Sequence, residues 1–174
     1  MSRRHVIAVL AVGLFWAGPA LADCTDPPLS GVDWRRCSMP RGEFKNADLS
    51  GAKLKDGRFT RADFSGSDLS KVDARRAKFI DAVARGTVFD GARLIGADFT
   101  KADLTEASLK GADLYRAQFQ NAVLRGADLT DAKIGRTNMA CADLSGVRWV
   151  DGKTICAEGS IGHCKRATGT GASG

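Results

Sequence analysis

From Phe44 to Trp149 every fifth residue is large and apolar, with Ala74 and Ala84 as the only exceptions. Two residues before each of these, Ala fills 15 of the 22 positions, and polar or charged residues take most of the remaining places. The count runs without insertion or deletion. A period of five suits neither regular element. Residues five apart on an α-helix are rotated by about 140°, so the large side chains would not share a face. On a continuous strand they would point to opposite sides. The pattern closes only if each unit is a short strand followed by a corner. The small residue and the large one two places later then face inward together, and the rest of the unit turns the chain. Repetition at so short a period predicts a solenoid.

The corner positions agree. Gly follows the large residue by two at 51, 66, 86, 91, 96, 111, 126 and 146, where a type II turn calls for positive φ. Asp stands directly before the large residue in nine units, among them Asp48, Asp63, Asp98, Asp103, Asp113 and Asp128. A short carboxylate there can accept backbone hydrogen bonds at the corner, and its regular recurrence favours that role over metal or acid–base chemistry. Phe59, Phe79, Phe99 and Phe119 lie 20 residues apart, flanked at the same interval by Met39 and Met139. A coil of 20 residues, four units per turn, would stack these rings in one inward column. The 22 units then make five and a half coils, rising about 4.8 Å each.

Segments such as Ala47-Asp48-Leu49-Ser50-Gly51, Ala97-Asp98-Phe99-Thr100-Lys101 and Ala127-Asp128-Leu129-Thr130-Asp131 resemble the pentapeptide-repeat family, whose pattern is A-(D/N)-L-x-x. The resemblance covers 42–151. It implies an all-β fold, a right-handed quadrilateral β-helix. It also brings one functional possibility, since some members of the family mimic DNA and bind bacterial topoisomerases.

The ends read differently from the middle. Residues 1–22 have the form of a secretory signal peptide: Arg3 and Arg4, an apolar run from Val6 to Ala17, and Ala20-Leu21-Ala22 as a cleavage site. Gly18-Pro19 interrupts the run, which is too short for a membrane span. Residues 23–41 read as an N-terminal cap in which Leu29, Trp34 and Met39 keep the five-residue count, a partial coil disturbed by Pro27, Pro28 and Pro40. Residues 152–164 read as a C-terminal cap and 165–174 as a disordered tail. Cys24 and Cys37 precede the repeats, Cys156 and Cys164 follow them, and Cys141 falls at an outward corner. The simplest pairing is Cys24–Cys37 and Cys156–Cys164 with Cys141 free, in keeping with an exported, periplasmic or secreted chain. Pinned caps would protect the solenoid's open ends from edge-to-edge association.

Little in the chain points to catalysis. Beyond the leader there is one histidine, His163, beside Cys164 in the cap, where a structural cysteine is a better reading than a nucleophile pair. No Gly-rich phosphate loop and no Cys-x-x-Cys metal spacing occurs, the carboxylates are spread over a convex rod, and no cofactor is expected. The charge pattern is more informative. Without the leader the chain holds 24 basic and 20 acidic residues, which the 20-residue register distributes unevenly. The side of Leu54, Ala74, Leu94, Leu114 and Ile134 carries Lys53, Lys55, Arg75, Arg76, Arg93, Arg116, Lys133 and Arg136 against Asp56, Asp73 and Asp113. The Phe-column side carries Arg58, Arg61, Lys78 and Lys101 against Asp81 and Asp98, and the other two sides are net acidic.

The expectation is a non-enzymatic exported scaffold whose basic side meets an acidic protein or envelope polymer. Single-stranded nucleic acid is disfavoured by the scarcity of outward aromatics, and the DNA-mimic alternative by the basic side and the leader. A last expectation concerns Ile80, Val83, Val88 and Ile95, which face outward around the coil that has Ala74 and Ala84 inside. Local distortion of the wall is the favoured reading there, and a contact patch the lesser one.

Overall fold

The computed structural model describes residues 24–166. The leader and cleavage point expected within residues 1–23, and the tail expected over residues 167–174, lie outside them. The chain is a β-helix. Twenty parallel bridges join residues 20 apart, from Asp33↔Lys53 to Asp128↔Arg148, at every fifth position. One residue in five is bridged, and a turn separates it from the next. The β character is therefore confined to single residues, stacked coil upon coil, and long strands do not form.

The backbone hydrogen bonds explain why five residues suffice for one side. In the unit around Leu49, the N–H groups of Leu49 and Gly51 donate to Asp68 and Ser70 of the following coil. The Ala52 N–H closes the corner onto the Leu49 carbonyl at 3.0 Å, and the Lys53 N–H reaches back to Val32. The fifth donor, the Ser50 N–H, is taken by the Asp48 carboxylate at 3.0 Å. The same contact recurs from Ser65 to Asp63, Ser70 to Asp68, Thr100 to Asp98, Thr105 to Asp103 and Thr130 to Asp128. The aspartates of the repeat are thus acceptors for the one amide that the coil geometry leaves over.

The second corner residue is left-handed throughout the wall. Glycine holds it at nine places from Gly31 to Gly146, while 15 non-glycine residues adopt it with φ between 55° and 62°, Arg76, Lys101 and Cys141 among them. Each such residue costs on the order of 1 kcal/mol. The ladder offsets this through most of the wall, because from Arg36 to Asp131 the same residue donates its N–H to the next coil. Sequence logic based on glycine alone recognises only part of this column.

Inside, the alanines and the large residues are almost all inaccessible to solvent. The Phe column forms as the register requires. Ring centroids are 5.5 Å apart for Phe59–Phe79, 4.8 Å for Phe79–Phe99 and 5.1 Å for Phe99–Phe119, with planes within 17° of parallel. Met139 continues the column and Met39 lies partly buried before Phe59. At Gly57 even an alanine would not fit beneath this column, since a Cβ there would sit 2.6 Å from the Phe59 ring. Hydroxyls at the small inward position bond to backbone carbonyls. Thr87 Oγ1 donates to the Phe64 carbonyl at 2.7 Å and Thr137 Oγ1 to that of Leu114 at 2.8 Å.

Three sequence expectations change. The wall is not distorted near residues 80–95: Val83 bridges Asp63 and Asp103, Val88 bridges Asp68 and Ser108, and the ladder passes without a break. Phe79 explains why, lying edge-on to Phe64 at 5.7 Å and to Phe89 at 6.3 Å, so that aromatic rings occupy the room left by Ala84. Pro40 does not disturb the first coil. It takes the first central position of the turn closed by Gly42 N–H onto Met39, a place that its fixed φ suits, and Asp33 and Ser38 on either side of Cys37 are already in the ladder. At the other end Lys165 and Arg166 belong to the cap. Arg166 bridges Cys156 in antiparallel fashion and the Ala157 N–H donates to Lys165.

Each end carries one disulfide. Cys24–Cys37 holds the entering segment, whose Asp26 carbonyl also accepts from the Trp34 indole at 3.2 Å. Cys156–Cys164 holds the C-terminal hairpin, which covers part of the last coil by satisfying the N–H groups of Leu144, Gly146 and Trp149. Cys141 is free and exposed.

A candidate polyanion-binding face

Outward residues come from three positions of each unit: the bridged residue and the two corner residues. On the Leu54 side the bridged column reads Asp33, Lys53, Asp73, Arg93, Asp113, Lys133. Opposite charges therefore alternate from coil to coil, and neighbours pair: Lys53 Nζ lies 3.9 Å from Asp33 and Arg93 3.8 Å from Asp73. Arg75 forms a two-pronged contact with Asp73 at 2.7 Å in both arms, and Arg76 does the same to Asp56 one coil back, at 2.7 and 2.9 Å. The guanidinium hydrogen bonds hold the Asp73 and Asp56 carboxyls below the usual carboxylate range. Arg116 lies over the Tyr115 ring, 5.2 Å from its centroid.

All eight basic residues singled out in the sequence sit on one side, yet they are not equivalent. Lys53, Arg75, Arg76 and Arg93 are tied to acids of the same side. Lys55, Arg116, Lys133 and Arg136 have no ion-pair partner among the described residues. The register also extends the side backward to Arg35 and Arg36, of which Arg35 is spoken for by Asp33 at 2.7 Å.

The neighbouring Phe-column side holds what charge counting per side undervalues. Arg58 and Lys78 are directly bridged, two cations facing outward on adjacent coils with no acid between them. Arg41, Arg58, Lys78 and Lys101 have no ion-pair partner among the described residues, and Arg61 has only a 3.8 Å approach to Asp81. The signal was present in the sequence, in residues 58 and 78 at the coil interval. It was diluted by summing the whole length of that side.

The Phe44 side behaves in the opposite way. Each base on the Phe44 side reaches an acid on the next coil: Lys45–Asp63 at 3.2 Å, Arg85–Asp103 at 2.5 Å and Arg125–Asp143 at 3.1 Å. Burial works to raise the Asp103 carboxyl, but the Thr105 hydrogen bonds and Arg85 outweigh it and leave it lowered. Asp151, in the C-terminal cap, is lowered furthest, from 3.8 to about 2, by hydrogen bonds from the Thr154 hydroxyl and the Thr154 and Lys153 amides.

Catalytic geometry is sparse. A cavity of 340 Å³ opens at the C-terminal end, between Ile134, Met139 and Trp149 of the last coils and His163 and Cys164 of the cap. Cys164 is in a disulfide, so His163 has no thiol there to activate. Among the described residues no group of three or more His, Cys, Asp or Glu is placed to hold a metal ion, and no helix is long and apolar enough to cross a membrane.

Two family models match the chain. One, described as a pentapeptide repeat region, covers residues 52–129, and the other, pentapeptide repeats in 8 copies, covers residues 21–56 and 112–148. Among solved structures, a pentapeptide repeat protein (Rfr23) from the cyanobacterium Cyanothece 51142 is 28% identical over 62% of this chain and 80% of its own, with a TM-score of 0.47. A pentapeptide repeat protein from the Arabidopsis thaliana thylakoid lumen is 27% identical over 71% of this chain and 83% of its own, with a TM-score of 0.45. QnrB1, a plasmid-mediated fluoroquinolone resistance protein, is 20% identical over 69% of this chain and 64% of its own, with a TM-score of 0.38. No curated protein matches.

Proposed function

The chain belongs to the pentapeptide-repeat family, and from that premise we propose that it is a non-enzymatic interaction scaffold, exported to the periplasm or beyond, that meets an acidic partner through its basic sides. Its solenoid is then a right-handed β-helix of about six coils, counted from Asp33 to Arg148 at four units per coil. The observation that carries the reading is the unequal use of charge. On the Phe44 side every base is paired with an acid of the next coil, whereas Lys55, Arg116, Lys133 and Arg136 on one basic side and Arg58 and Lys78 on the other are left without one among the described residues. Cations not consumed by the fold are available to a partner.

Export rests on the two cysteine pairs, which an oxidising compartment would keep closed, together with the leader-like residues 1–22. The topoisomerase-binding alternative asks for a long, free acidic surface. On the Phe44 side that surface is interrupted, because Asp63, Asp103 and Asp143 are occupied by corner amides and by Lys45, Arg85 and Arg125.

The test is capture from an envelope fraction with immobilised protein, alongside retention on a polyanion column. Lys55→Glu, Lys133→Glu and Arg136→Glu together are expected to shorten retention and reduce capture. Unchanged retention in the triple variant would remove the Leu54 side from the proposal.

A further inference from the structure

We infer that the first three coils of the Phe-column side form a binding site for a linear, carboxylated polysaccharide lying along the rod axis. This rests on the scaffold reading above and gives it a location and a ligand class. Arg58 and Lys78 are bridged to one another, so their side chains leave the wall about 4.8 Å apart on adjacent coils. Like charges placed directly opposite across a β-ladder are destabilising. Elsewhere on the basic sides the fold avoids this: the next bridged column alternates acid and base from Asp33 to Lys133. The exception is flanked by further cations. Lys55 and Arg76 stand at one corner of the same face on successive coils, at the first and second corner positions, and Arg41 and Arg61 hold equivalent positions at the other. Among the described residues only Asp56 and Asp81 answer them, through Arg76 and Arg61.

The ligand class follows from the shape and chemistry of this surface. Cations repeat at the coil spacing along a straight, convex wall, so a ligand gains by repeating its own charge along a line and gains little by being small and compact. Arginine offers a planar fork that matches carboxylate oxygens two at a time. For single-stranded nucleic acid the face offers no outward aromatic platform on which bases would stack. A lipid surface lacks the apolar fringe that anchors a protein between headgroups; the large apolar residues exposed among those described, Leu29, Tyr115, Ile155 and Ile161, are all away from these three coils of the face. An acidic polysaccharide with one carboxylate per sugar needs neither feature.

The site is tested with the full chain by titration calorimetry against polygalacturonate, its fully methyl-esterified form, monomeric galacturonate and phosphatidylglycerol vesicles. The expected result is saturable binding of polygalacturonate that weakens with added salt, with no binding of the ester or the monomer at the same sugar concentration. The R58Q/K78Q double variant is expected to bind at least tenfold more weakly, and the distant K133Q/R136Q variant within twofold of the parent. Because R58Q/K78Q relieves a repulsion, its thermal midpoint should equal or exceed that of the parent, whereas a fall would mean that the pair serves the fold and would overturn the assignment. Loss of binding in K133Q/R136Q with none in R58Q/K78Q would overturn this placement and leave the scaffold reading standing. Tighter binding to the vesicles than to the polymer would replace the polysaccharide by a lipid surface. Absence of binding to every probe, together with an empty capture experiment, would defeat both the site and the scaffold reading.

Discussion

Replacing Phe99 by alanine tests the solenoid's interior most directly. Phe99 is wholly buried. It stacks on Phe79 at 4.8 Å and Phe119 at 5.1 Å, and meets the edge of Phe89 at 5.8 Å. A buried Phe→Ala change costs about 3–5 kcal/mol through lost transfer energy and the cavity left behind. Ring pairs contribute about 0.5–1.5 kcal/mol each beyond their area, and the coils above and below are fixed by the backbone ladder and cannot close the gap. The expected loss is therefore at the top of the range, about 4–5 kcal/mol, or a fall in thermal midpoint on the order of 10 °C. Phe119 stacks on Phe99 alone, with Met139 as its other neighbour in the column, so Phe119→Ala should cost about 1 kcal/mol less. Phe99→Leu keeps most of the volume and should cost about 1–2 kcal/mol. Urea unfolding followed by circular dichroism measures all three. A Phe99→Ala loss below about 1.5 kcal/mol, or equal losses at 99 and 119, would refute the claim that the stacked column stabilises the middle coils.

The remaining predictions concern corners, ends and acid. At Lys101, held at φ 60°, Lys101→Val should destabilise by more than 1 kcal/mol, because a branched Cβ tolerates the left-handed region poorly, while Lys101→Gly should be neutral or slightly stabilising; urea midpoints decide. Reducing both disulfides should speed amide hydrogen exchange in the terminal coils while the amides of Phe79 to Phe99 keep their protection, and a uniform acceleration would contradict that order. The Asp151 carboxyl is lower in the folded chain than its ordinary value, so its contribution is present above pH 3.8 and is lost as pH falls toward about 2. The emission of Trp149, which donates its backbone N–H to the neighbouring Thr154 carbonyl, should change across that window in the parent and not in Asp151→Ala.

Much of the architecture was legible beforehand because its cause is local and repeated. A large residue every fifth position, a small one two before it and an Asp between them leave few ways to bury the apolar set, and the 20-residue recurrence of Phe59, Phe79, Phe99 and Phe119 identified the column that the structure contains. The corners were half legible. Glycine marks a left-handed residue when present, but Arg76, Lys101 or Arg116 carries no such mark, and adopts that conformation because the coil's hydrogen bonds hold it there. Pro40 and the coil near Ala84 depart from the local expectation for a related reason: the turn offers proline a suitable place, and the phenylalanines of adjacent units fill the space beside a small inward residue.

The sequence by itself determined the period, the inward and outward assignment and the coil length, since each follows from the alternation of small, polar and large residues along the chain. Only the tertiary structure decided which charges remain for a partner. Whether a cation is free depends on what stands one coil away and within side-chain reach. Arg76 and Arg93 are answered by Asp56 and Asp73 of the preceding coil, while Arg58 and Lys78 face each other, and that difference exists only once the coils are stacked.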